Sequence, residues 1–172
     1  MEIIQITDLH ISKDKSDSKH DCVPYERLTK VLEHISANHS KHSNLVITGD
    51  LSSDFTHESY KNISSLIKQF EFNVSILPGN HDDLSMMKLI CDDQIKLESL
   101  DCKSKYFSIF NFDTHIQDNV KGVINQREIE NLDNQLSANR TNVIIFCHHP
   151  LIKVNSESVS YTHLRAHETS TY

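Results

Sequence analysis

The chain has 172 residues, 24 acidic and 17 basic, and a formal charge of −7 with histidine neutral. That length fits one domain or a piece of one. Only 37% of residues are apolar and no apolar run approaches the length that spans a bilayer, so a transmembrane class is excluded. The acidic balance also argues against non-specific attachment to nucleic acid or an anionic membrane through net charge.

The elements can be taken in chain order. Glu2–Thr7 carries Ile3, Ile4 and Ile6 and predicts a short strand buried on both faces. The polar stretch from Ile11 to Val23 predicts a long loop. Tyr25, Leu28, Val31, Leu32 and Ile35 recur at helical spacing behind Pro24, which suits a first turn. Leu45–Thr48 predicts a second strand, and Tyr60, Ile63, Ile67 and Phe70 stripe a second helix. Val74–Leu77 predicts a third strand, with a short helix around Leu84–Ile90. Tyr106–Phe112 alternates enough for a strand, Ile129, Leu132 and Leu136 mark another helix, and Val143–Cys147 predicts a last strand. Alternating strands and helices make a sheet covered by helices.

Twelve histidines stand against three glycines and three prolines, so scarce punctuation marks the backbone positions that matter. In open α/β sheets ligands gather beyond the carboxyl ends of strands. Four predicted strands end there in metal-ligand residue types: Asp8 and His10, Gly49-Asp50, Pro78-Gly79-Asn80-His81-Asp82, and His148-His149-Pro150. Two of the three glycines and two of the three prolines lie in these exits. Asp8 and His10, two apart in an extended exit, would point the same way and grip one ion. Gly49 allows a tight bend that turns the Asp50 carboxylate into the same crevice, where its two oxygens could bridge two cations. Asn80 offers an amide oxygen and the fourth exit a histidine nitrogen. Such mixed ligation suits manganese, iron or zinc and suits calcium poorly.

Taken singly, each piece has a plainer explanation: a solvated loop for Asp8 and His10, a turn for Gly49-Asp50, a helix N-cap for Asp82 or Asp83. His20, His34, His39, His42, His57 and His115 read as surface residues, and Cys147 as a small apolar filler. The four cysteines, Cys22, Cys91, Cys102 and Cys147, lack CxxC spacing, and the N-terminus lacks signal-peptide blocks. Reduced thiols and a cytoplasmic location are therefore expected.

Together and in this order, the four exit motifs resemble the calcineurin-like metallophosphoesterase superfamily, and most of all its class III cyclic-nucleotide phosphodiesterase branch. The likeness runs from Met1 to about Lys153. It implies a four-layer α/β/β/α sandwich around a centre of two divalent or trivalent metal ions. Asp8 and His10 would hold one metal, Asp50 would bridge, and Asn80 and His148 would hold the other, with His149 supporting His148 from behind. A metal-bridging hydroxide would attack phosphorus in line. His81 would stabilise the developing charge or protonate the leaving oxygen, and Asp82 would orient it. The implied substrate is a phosphodiester or nucleotide, with 3',5'-cyclic nucleotides as one candidate. Phosphomonoesterase, nuclease or pyrophosphohydrolase activity, or a non-catalytic metal-binding module, are the alternatives. The resemblance assigns no membrane partner, no specific nucleic-acid partner and no oligomeric state.

The family's Gly-His-x-His tetrad is missing from this sequence, which leaves the implied site two ligands short. From Val159 the chain reads Val-Ser-Tyr-Thr-His-Leu-Arg-Ala-His-Glu-Thr, a string that resembles a translated DNA sequencing adaptor. The expected organisation is a metallophosphoesterase domain over 1–158, incomplete at its C-terminus, and a non-native tail over 159–172. The domain would then lack activity alone, an unpaired sheet edge would remain, and His163 and His167 would be a false zinc pair.

Overall fold

In a computed structural model, the described residues are 2–19, 21–41, 43–97, 107–138 and 142–151. The expected tail and its two histidines lie outside them. The elements run β1 (Ile3–Ile6), α1 (Pro24–Asn38), β2 (Asn44–Thr48), α2 (His57–Ile67), β3 (Asn73–Leu77), α3 (Leu84–Ile90), β4 (Ile95–Lys96), β5 (Phe107–Asn111), α4 (Gln126–Ala138) and β6 (Asn142–Phe146). Strands β1 to β4 form one parallel sheet in chain order, and β5 and β6 pair parallel in a second. Parallel neighbours cannot be joined by a hairpin, so each helix is the crossover between two of them.

Alternation along the central strands builds the layers. Leu45 and Ile47 of β2, with Val74 and Ile76 of β3, face the helices. There they meet Leu28, Leu32 and Ile35 of α1, Tyr60, Ile63 and Ile67 of α2, and Met87 and Ile90 of α3. Val46 and Leu77 point the other way and pack on Ile109 of β5 and Phe146 of β6. Helices, a parallel sheet and a second sheet therefore stack in the order the resemblance implied, with α4 as the crossover of the second sheet. Across the sheets, Asn111 Nδ2 donates to Ser75 Oγ at 3.0 Å.

Three details differ from the sequence expectation. Strand β1 is only half-buried; among the described residues it lies at an edge of its sheet, with β2 beside it. The polar stretch after it contains one fully buried residue, Ile11, bridged to Ser52. The two-residue strand β4 carried too little pattern to be recognised. The helix caps follow local chemistry: Pro24 opens α1, Thr56 caps α2 by accepting from Ser59 N–H, and Asp83, not Asp82, caps α3. Cys22 and Cys147 are free thiols. Among the described residues no helix is long and apolar enough to cross a membrane.

Candidate metal centre

The exits of β1 and β2 run side by side beyond the sheet. Asp8 N–H donates to Gly49 O at 3.0 Å, His10 N–H to Asp50 O at 2.9 Å, and Ile11 N–H to Leu51 O at 2.9 Å. This zipper sets Asp8 and His10 against Asp50. The two exit residues are not extended as expected: Asp8 (φ 56°) and His10 (φ 46°) are left-handed, as is Asp50 (φ 54°). Asp and His tolerate that region better than most residues, and the turns bring their side chains to one point. Buried Leu9 between them anchors the turn in the core.

Ligand atoms of Asp8, His10 and Asp50 lie within 4.8 Å of one another. His10 Nε2 is 3.6 Å from Asp50 Oδ2 and 3.9 Å from Asp8 Oδ1. The other Asp50 oxygen faces a different set. His148 Nε2 is 3.3 Å from Asp50 Oδ1 and 3.2 Å from Asn80 Oδ1. The Asp50 carboxylate, in a residue 4% exposed, thus divides its oxygens between two groups of donors, one from each pair of strand exits.

Several features fit these groups to cations. The Nδ1 of His148 lies 2.8 Å from Thr48 O and donates to it, which fixes the ring with Nε2 aimed at the Asp50 and Asn80 oxygens. One imidazole nitrogen and two oxygens converging at this spacing form a donor set that a shared cation would satisfy. Burial lowers the pKa of His10 against the pull of the Asp50 and Asp8 carboxylates, which favours the neutral, ligating imidazole. Close packing leaves no slack. A Cβ on Gly49, at φ 102°, would fall 2.7 Å from His148 Cγ, and one on Gly79 would land on the Asp50 carboxylate and 2.9 Å from His148 Cε1.

Asp82 and His149 lie behind the cluster. Asp82, 1% exposed, accepts hydrogen bonds from the N–H groups of Leu51, Ser52 and Gly79 and from the Tyr60 hydroxyl at 3.0 Å. These bonds clamp the exits of β2 and β3 together. The carboxylate was expected to orient His81; it is turned onto the two loops instead, because buried N–H groups must find acceptors. Burial, opposed by those hydrogen bonds, raises its pKa to about 6. His149 is buried, with Nδ1 2.7 Å from Thr114 Oγ1, and burial and His148 lower its pKa to about 4. Neutral His149 packs edge-on against the His148 ring at 5.1 Å. Cys147 is part of the same exit, its thiol directed at His149 O.

His81 is exposed at the mouth, its N–H donating to Asp50 Oδ1 at 2.9 Å. Its ring meets His10 edge-on at 5.4 Å and stacks with Phe55 at 6.1 Å. A cavity of about 630 Å³ opens beside it, lined by Asp8, His10, Lys19, Arg27, Ser53 and His81, with Leu28 and Val31 on its apolar wall. Sequence reasoning missed Lys19, Phe55 and Thr114. No short motif marks them, since each acts through a loop brought near in space.

A parallel α/β scaffold that gathers carboxylate, imidazole and amide groups at its strand exits belongs to the class of proteins that can hold metal ions there. The chain belongs to the calcineurin-like phosphoesterase family, whose model matches residues 1–170 and so takes in most of the segment after Val159. Members of that family use a dinuclear metal centre. A probable cyclic nucleotide phosphodiesterase of Coxiella burnetii is 28% identical over 156 residues, covering 88% of this chain and 61% of that protein. A 3',5'-cyclic-nucleotide phosphodiesterase of Nostoc sp. is 27% identical, covering 91% and 59%. A probable glycerophosphodiester phosphodiesterase of Arcobacter nitrofigilis is 26% identical, covering 96% and 63%. The chain spans about six-tenths of the length of these relatives.

Proposed function

We propose that the protein hydrolyses small phosphodiesters with two metal ions. The carrying observation is the Asp50 carboxylate, whose oxygens face His10 on one side and His148 on the other. In this reading Asp8, His10 and Asp50 hold one ion, and Asp50, Asn80 and His148 the other. Manganese, iron and zinc suit these donors. When bound, the ions supply Lewis-acid activation of water and relief of the charge on phosphorus.

The chain's own residues do the rest. Lys19 and Arg27 give the cavity a cationic side that draws an anionic phosphodiester toward the cluster. Leu28 and Val31 offer an apolar wall for the ester group. Hydrolysis adds a water oxygen to phosphorus and breaks one P–O ester bond. His81 gives its proton to the leaving oxygen and regains one from the attacking water. Asp82 holds the loops that carry Asp50 and Asn80, and His149 braces His148. The products are a phosphomonoester and an alcohol, or a single nucleoside monophosphate from a cyclic nucleotide.

The relatives' names favour cyclic nucleotides and glycerophosphodiesters as the substrates to try first. Free thiols at Cys22 and Cys147 accord with a cytoplasmic location. The test is hydrolysis of bis(p-nitrophenyl) phosphate by the full-length protein, stripped of metal and then titrated with manganese. Metal-dependent turnover, faster than on p-nitrophenyl phosphate, supports the reading. Turnover unaffected by chelation, or by Asp50→Asn, sinks it.

A further inference from the structure

We infer that Phe55 is a positioning residue for the His81 imidazole, an inference that rests on the proton-donating role of His81 proposed above. Phe55 is 46% exposed and carries a left-handed backbone, φ 58°. The other described non-glycine residues with positive φ are all Asp or His, types that tolerate it. A bulky aromatic in that region is an outlier that the surrounding structure must enforce.

The enforcement is visible. Phe55 N–H donates to Ser52 Oγ at 2.9 Å, and Ser52 Oγ is 2.7 Å from Ser59 Oγ. Asp54 accepts from Thr56 Oγ1 at 2.8 Å and from Lys13 N–H at 2.8 Å. These bonds lock the loop, and glycine would make the same turn without strain. An exposed phenyl ring on a strained residue adds little to the core. What the position gives is contact: the ring stacks on His81, inclined by 30°, while His10 meets that imidazole edge-on at 76°.

His81 needs such support. Its backbone is tied to Asp50, but its side chain is exposed, and exposed rotamers interconvert freely. A proton donor works only within hydrogen-bond reach of the leaving oxygen. Stacking by Phe55 restricts the ring to the arrangement in which it also meets His10.

The test compares Phe55→Gly, Phe55→Tyr and His81→Ala in the full-length protein. Glycine is at ease at this φ, so Phe55→Gly should melt no lower than the parent. In proton NMR of the metal-free protein, the His81 ring resonances, assigned by their loss in His81→Ala, should shift in Phe55→Gly and return in Phe55→Tyr. With manganese, Phe55→Gly should lower kcat about tenfold on an alkyl-leaving phosphodiester, with KM held within about twofold. A p-nitrophenyl diester, whose leaving oxygen needs no proton, should be spared, and tyrosine should restore the rate. Unmoved His81 resonances, a loss confined to KM, or equal losses on both esters would overturn the inference. If His81→Ala keeps full kcat, the role proposed for His81 fails first. If His81→Ala is impaired while Phe55→Gly is not, only the inference about Phe55 fails.

Discussion

The two sheets of this molecule differ in how they are held and in what they give to the centre. The β1 to β4 sheet is covered by α1, α2 and α3, and that core includes Leu32, Leu45, Ile47, Ile63, Ile67 and Ile76, all fully buried. Among the described residues, the buried cluster of the β5–β6 pair is the smaller one, where Ile109 and Phe146 meet Val46 and Leu77. Ile144 and Ile145 of β6 remain 36% exposed, as do Ile129 (37%) and Leu136 (41%) of α4. The better-packed sheet supplies Asp8, His10, Asp50 and Asn80, and the thinner one supplies His148. A site that needs ligand atoms held to fractions of an ångström draws most of them from its most rigid part.

The largest effect should come from the residue that joins the two ligand groups. Asp50→Asn leaves one oxygen and an amide nitrogen where two oxygens faced the histidines, and should lower kcat/KM by about a thousandfold or more. Calorimetric titration with manganese should show weakened binding at both groups, not one. Binding that stays intact at either group would separate the halves that the structure joins.

Next comes the contrast in packing. Leu32→Ala empties a fully buried position of α1 and should cost about 3 kcal/mol in urea unfolding. Ile144→Ala, at a partly exposed position of β6, should cost about 1 kcal/mol or less. Equal losses would mean that the second sheet is as tightly held as the first.

A smaller loss should follow at the clamp between the exits of β2 and β3. Asp82→Asn puts a donor where one carboxylate oxygen accepts from Gly79 N–H at 2.9 Å, and should destabilise by about 2 kcal/mol. Tyr60→Phe removes one of the bonds and should cost about 1 kcal/mol. The two losses should not add in the double variant, because they share a hydrogen bond.

The smallest effect is one of pH. Burial opposes ionisation of Asp54, yet hydrogen bonds from Lys13 and Thr56 outweigh it and lower its pKa from 3.8 to about 2. A lowered folded-state pKa contributes stability that is present above 3.8 and lost as pH falls through about 2. Asp54→Asn should therefore flatten part of the decline in stability between those values, seen as a smaller change in melting temperature with pH. An unchanged slope would remove Asp54 from the lock on the loop.

Much of this architecture was legible from residue patterns. Isoleucine and valine runs marked the strands, the i, i+3, i+4 stripe of Leu28, Leu32 and Ile35 marked α1, and scarce glycine and proline drew attention to the exits. Asp8, His10, Asp50, Asn80 and His148 come together in the structure as their positions at strand ends suggested. Less legible were the left-handed turns at Asp8 and His10, because φ at an Asp or His depends on what the neighbouring strand exit bonds to. The orientation of Asp82 was also out of reach, since its partners Leu51, Ser52 and Tyr60 lie 22 to 31 residues away.

By itself the sequence determined which residue types stand at which strand ends, because hydrophobic periodicity and turn chemistry are local properties. Tertiary structure alone decided how the Asp50 oxygens divide, which face of Asp82 is satisfied, and that Phe55 meets His81. These depend on crossing two sheets and several loops at ångström spacing. Backbone hydrogen bonds between strand exits set that spacing, and no single segment encodes it.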